Sequence, residues 1–132
     1  MKILTSLLTG AVLFAGIMAH PASAATPARH LSGYRCMMLN LTEQQSMDPS
    51  VHVPFRATPS ETAPTVGWAG SVVAVRESQT PVNGFVRALF PTGQEVWIAA
   101  DKLRPYHSLG DPSAKCVPVV FPSGKIGFGS PS

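Results

Sequence analysis

Charge is scarce in this chain: Asp, Glu, Lys and Arg make up 13% of its 132 residues, against about 25% in an ordinary soluble domain. Ten basic residues face seven acidic ones, and the basic ones are scattered, with no run. Tight nucleic-acid binding needs a clustered basic footprint, so nucleic acid is not expected as a partner. Weak attraction to an anionic envelope is all this charge supports. Cysteine is nearly absent. Cys36 and Cys116 stand alone, which excludes a disulfide-dense miniprotein. There is no Cys-x-x-Cys, and no His lies close in sequence to either thiol, so neither a redox dithiol nor a thiolate metal centre is expected. After the first twenty or so residues, no apolar run is long enough to span a bilayer. Long helical periodicity is missing too. Between Val51 and Tyr106, no stretch keeps apolar residues at i, i+3, i+4 and i+7 beyond about two turns.

The usual catalytic signatures are also lacking. There is no Gly-x-Ser-x-Gly elbow and no phosphate-cradling glycine loop. His30, His52 and His107 are far apart, whereas nucleophilic catalysis needs a base oriented beside its nucleophile. The carboxylates form no suggestive pair. The expectation is a protein that is not an enzyme and has no metal and no cofactor. A small envelope hydrolase is the distant alternative. Two carboxylates about 5 to 10 Å apart across a cleft would revive it.

The chain begins with a delivery segment. Lys2 supplies a positive charge, Ile3 to Ile17 is mostly apolar, His20 and Pro21 break the run, and Ala22-Ser23-Ala24 offers small residues for cleavage. That order predicts a signal peptide over residues 1–24. Its apolar run of about 15 residues falls short of the roughly 20 needed by a spanning helix. No membrane span is expected once it is removed. An oxidising destination favours one disulfide, Cys36 to Cys116.

Gly and Pro are plentiful, at 11 and 13, and they cut the middle of the chain into short β-branched and aromatic runs. Val51 to Arg56, Val72 to Arg76, Gly84 to Phe90 and Gln94 to Ile98 read as strands. Asn83-Gly84 and Pro91-Thr92-Gly93 read as the turns between them. Ala99 to Leu103 reads as a short helical turn before Arg104 to Tyr106. Five strands with short connections over residues 51–106 predict a small all-β barrel. Tyr34 to Leu39 and Lys115 to Phe121 read as additional strands in an N-terminal flank (residues 25–50) and in a C-terminal flank and tail (residues 107–132). Ala25 to Ser32 reads as loose, and a single helical turn is expected near Thr42 to Gln45.

Phe55-Arg56-Ala57-Thr58-Pro59-Ser60, then Val66-Gly67 and Gly70, then Asn83-Gly84-Phe85-Val86-Arg87-Ala88, and finally Gly93-x-x-x-Trp97-Ile98 with Leu103 resemble, in this order, the bacterial SH3-like (SH3b) domains. Where that family often has Gly before its closing aromatic, this chain has Val96. The resemblance covers about 55 residues and implies a five-stranded SH3-like barrel, here with extra terminal strands tied by the disulfide. It also implies a groove for an extended ligand.

Alternation along Phe85 to Phe90 sends Val86, Ala88 and Phe90 to the core and leaves Phe85 and Arg87 outward. With Trp97 on the pairing strand, Phe85, Trp97 and Tyr106 are the candidate groove, with Arg56 or Arg87 at its rim; the competing expectation is that Phe85 and Trp97 cover the barrel mouth, packed under the Cys36 to Leu41 flank. The expected function is a non-catalytic, periplasmic or secreted module that binds a peptide, an envelope protein or peptidoglycan. The alternative is a structural or inhibitory protein that meets its partner over its whole surface.

Overall fold

The structure, a computed structural model, describes residues 27–131 together with Gly10 and Gly16. Apart from those two glycines, the expected leader over residues 1–24 lies outside the described residues. The described chain is all-β, and its strands form two antiparallel sheets. The larger sheet contains β2 (Tyr34–Leu39), β3 (Pro54–Arg56), β4 (Thr65–Trp68), β5 (Val72–Arg76), β6 (Phe85–Leu89), β7 (Glu95–Ala99) and β8 (Leu103–Pro105), in the order β4-β3-β7-β6-β5-β2-β8. The smaller places β1 (Arg29–His30) and β10 (Ile126–Gly129) on either side of β9 (Val117–Val120). Neither sheet closes on itself.

Turn chemistry accounts for the hairpins. Asn83 and Gly84 both take positive φ, 51° and 79°, and Val82 and Phe85 bridge across them. This is the left-handed pair that matches the twist of flanking strands. Gly93, at φ 91°, closes the turn between β6 and β7, where Gly93 N–H donates to the Phe90 carbonyl and Phe90 N–H to the Gln94 carbonyl. The β6–β7 ladder then runs without a slip from Leu89 opposite Glu95 to Phe85 opposite Ala99. The helical turn expected near residue 42 is α1 (Glu43–Met47). Thr42 caps it, and Gln45 returns the capping bond. The turn expected after Ala99 is a 3-10 segment, Ala100–Lys102.

One core fills the concave side of the larger sheet. Ile98, Val96 and Ala88 are fully enclosed, and Val73, Val75, Phe55 and Val53 pack with them. Leu39 and Leu103 complete the cluster from β2 and β8, so strands from both halves of the sheet bury apolar area against one another, the dominant source of stability. Val96, where the resemblance led to expect glycine, is one of these enclosed side chains.

Three expectations change, two of them about the N-terminal flank. Tyr34–Leu39 is not peripheral: β2 lies inside the larger sheet, pairing with β5 on one side and β8 on the other. Alternation explains it, since Met37 and Leu39 point to the core. Arg29 and His30, expected to be loose, pair with Val120 and Val119. The strand expected from Val51 begins at Pro54. His52 before it is exposed and sits against Trp68, with ring centroids 5.0 Å apart.

The disulfide joins Cys36 on β2 to Cys116 just before β9, with Cα atoms 6.0 Å apart. It fastens the smaller sheet to the outer face of the larger. Ile126 N–H adds a second tie by donating to the Pro91 carbonyl at 2.8 Å.

Candidate functional site: an arginine–tryptophan face

Trp97 lies on the convex side of β7, away from its enclosed neighbours Val96 and Ile98. Register places an arginine directly opposite it on each adjoining strand, Arg56 on β3 and Arg87 on β6. Neighbouring strands are about 4.8 Å apart, so the two guanidinium groups spring from backbones roughly 10 Å apart, with the indole between them. The Arg87 guanidinium carbon stands 5.0 Å from the indole centroid. This is a cation–π arrangement, worth about 0.5–1 kcal/mol at an exposed site.

The surrounding groups hold these side chains in place. Arg56 Nη1 donates to the Ala63 carbonyl at 3.1 Å and to Thr65 Oγ1 at 2.9 Å. Glu95, two residues before Trp97 on the same face, forms ion pairs with Arg87 at 3.5 Å and Arg76 at 3.8 Å. These pairs are exposed, so each adds little to stability, but together they orient two of the three arginines. Gln79 takes over where the β5–β6 ladder has only two residue pairs. Its Oε1 accepts from Arg87 N–H at 2.6 Å, and its Nε2 donates to the Arg76 and Arg87 carbonyls at 2.7 and 3.0 Å. The side-chain amide thus continues the ladder and fixes the strand that carries Arg87. Across β2, Tyr34 stands opposite Arg76. On the strands of this face Arg56, Arg76 and Arg87 stand with one strand carboxylate, Glu95, an excess of positive charge along the ladder. The half-buried indole lies at its centre.

The expected groove of three aromatic rings is not assembled. Phe85 is on the face that alternation assigned, but it is only 6% exposed. The loop over residues 57–64 folds onto this side. Arg56 holds it at Ala63, and Asn83, two residues before Phe85, donates to the Pro59 carbonyl at 3.3 Å. Tyr106 lies past the end of β8 at the far edge of the sheet. There it lines a cleft of about 350 Å³ beside the disulfide with Arg35, Met37 and Lys115. Trp97, Arg56 and Arg87 are together, and Arg76, Glu95 and Gln79 join them unforeseen. Glu95 carried a readable signal, since i and i+2 on a strand share a face.

Elsewhere, Asp48 and Asp111 each take hydrogen bonds from a serine two residues on. The Ser50 and Ser113 hydroxyls hold them below the ordinary aspartate range, and the backbone N–H groups of the same serines add to the effect. Among the described residues no three His, Cys, Asp or Glu side chains gather as metal ligands, and no helix is long and apolar enough to cross a membrane. Compared with protein families, characterised proteins and solved structures, the chain shows no match.

Proposed function

We propose that this protein is an exported, non-catalytic binding module, an SH3-like fold that holds an extended carboxylate-bearing ligand across its Arg56–Trp97–Arg87 face. The observation that carries this reading is the cross-strand row itself, a pre-positioned indole between two arginines. Arginine offers a planar fork of donors matched to carboxylates. Tryptophan supplies a flat apolar surface at low entropic cost. A ligand lying across the strands meets both in succession. A peptide, the peptide stem of a cell-wall glycopeptide, or an acidic segment of an envelope protein has this chemistry. Export rests on the leader pattern and agrees with the disulfide, since such bonds persist in oxidising compartments.

The test is retention of the mature chain on insoluble peptidoglycan at low and high salt, with Trp97→Ala and Arg87→Gln beside it. At about 1 M salt the screening length falls to roughly 3 Å, so retention that survives reports packing on the indole as well as charge. The expected result is salt-tolerant retention that both substitutions weaken, while the melting midpoint of Trp97→Ala moves little. Retention at low salt only reduces the interaction to general charge attraction. Absence of retention removes the cell wall as ligand.

A further inference from the structure

The cleft of about 350 Å³ beside the disulfide shares no residue with the arginine–tryptophan face, and both cysteines line it. A second cleft, of about 230 Å³, brings Cys116 together with Phe128 and Gly129 of β10. The two cysteines are not equally covered: Cys36 is 7% exposed, whereas Cys116 is only half-buried. Each is preceded by a cation, Arg35 before Cys36 and Lys115 before Cys116. Both cations are exposed and both line the first cleft. Among the described residues neither forms an ion pair, and no acidic residue lines either cleft. The bond also holds the smaller sheet where packing is thin. An apolar void of about 170 Å³ remains between Ile126 and Phe128 of β10 and Val72 and Leu89 of the larger sheet, while close-packed interiors leave few gaps larger than a water molecule.

We propose that the Cys36–Cys116 bond is a thiol-exchange site, opened in the folded protein by a small anionic thiol, and that its cleavage releases the smaller sheet. The thiolate attacks at Cys116, the less covered cysteine. A new S–S bond forms there, the Cys36–Cys116 bond breaks, and the electron pair leaves on Cys36 Sγ, which takes a proton from solvent. A second thiolate then displaces the first from Cys116. The protein gains two electrons and two protons, and the thiol is oxidised to its own disulfide. The disulfide selects the chemistry of its partner, since thiolates are the nucleophiles that cleave it, at a rate set in part by access. The charge of that partner follows from Arg35 and Lys115, which favour an anion arriving at the cleft. With the bond open, the smaller sheet keeps only contacts such as that of Ile126 N–H with the Pro91 carbonyl.

The probes are mercaptoacetate, 2-mercaptoethanol and cysteamine, which are anionic, neutral and cationic, each reacted with the oxidised mature protein without denaturant. Every rate is divided by the rate of the same thiol on the neutral disulfide of 2-mercaptoethanol, to remove intrinsic reactivity. The expected result is a rate that rises linearly with thiol concentration. Mercaptoacetate should be favoured over cysteamine by about fivefold at low salt, and the preference should vanish at about 1 M salt, where the screening length is roughly 3 Å. Lys115→Glu should reverse the order. Early acid-quenched samples should carry the first adduct on Cys116, and hydrogen exchange of the reduced protein should quicken in β9 and β10 but not in β6 and β7. A rate that levels off as thiol is added would show that the bond is reached only through unfolding and would overturn the assignment. An absent charge preference, a first adduct on Cys36, or unchanged exchange in β9 and β10 would do the same. The comparison of the three thiols uses the unmodified protein and stands even if Lys115→Glu folds poorly.

Discussion

Removing the Cys36–Cys116 bond by the double substitution Cys36→Ala and Cys116→Ala should cost this protein a large share of its stability. The two cysteines are 80 residues apart in sequence. In the chain-entropy model, a loop of that length restricts the unfolded ensemble by about 4.5 kcal/mol at 25 °C. Partial compactness of the unfolded chain lowers the figure, so the expected loss is about 3–4 kcal/mol, from a total typically of about 5–15 kcal/mol. Alanine is the right replacement because Cys36 is buried opposite Ala74, where serine would leave a hydroxyl to satisfy. The assay is urea unfolding, followed by tryptophan fluorescence from Trp68 and Trp97 on the larger sheet and by far-UV circular dichroism from both sheets. The uncrosslinked chain exposes more surface when unfolded, so the denaturant slope should rise as stability falls. Hydrogen exchange should show the smaller sheet opening at lower free energy than β6 and β7, because it loses its covalent tie and keeps only contacts such as Ile126 N–H to Pro91. A loss below about 1 kcal/mol with an unchanged slope would refute the argument that the bond acts through the unfolded chain.

Other substitutions separate packing from binding. Phe85→Ala should destabilise by about 3 kcal/mol or more, as truncation of a buried aromatic does, with a melting curve to check it. Gly67→Ala should cost about 1–3 kcal/mol because a Cβ there would stand 2.5 Å from Phe90 Cε2. The Phe90 ring is confined by its edge-on contact with the buried Phe55, centroids 5.8 Å apart; a midpoint equal to that of the unmodified protein would show that the ring yields freely. Asp48 and Asp111 have depressed folded-state pKa values because serine hydroxyl and N–H groups bond the charged form. The stability they contribute is therefore present above the unfolded aspartate pKa and lost as pH falls through the folded one. Carboxyl chemical-shift titrations should give both midpoints below the ordinary aspartate value, and Ser50→Ala should return Asp48 toward it.

The strands and turns were legible because their determinants are local. Alternation along Phe85 to Phe90 marked Val86 and Ala88 as inward, where they lie, and Asn83-Gly84 suits the positive φ both residues adopt. Strand partners set by distant residues were less legible. Nothing near Tyr34 says that it will sit opposite Arg76, or that β2 will enter the sheet between β5 and β8. The sequence of β10, Ile126–Gly129, shows little of a strand because half its residues are glycine, and its pairing comes from β9.

Phe85 and Trp97 show where periodicity stops being informative about a site. Period two assigned Phe85 outward and hairpin pairing set Trp97 beside that strand, and the ladder puts them on that face, Phe85 opposite Ala99 and Trp97 opposite Arg87. Exposure is a different quantity, because it depends on what else lies on that face. At Phe85 the nearby turn is tied to the loop over residues 57–64, and that tie runs from Asn83 to Pro59, 24 positions apart. At Trp97 the neighbours on both adjoining strands are arginines. Long charged side chains keep their heads in water while their stems lie along apolar surface, so they flank the indole without sealing it. The same alternation thus yields a buried packing residue at one position and a half-buried one at the other. A charged, flexible cross-strand neighbour on each side is the physical condition that keeps this aromatic side chain only half-buried.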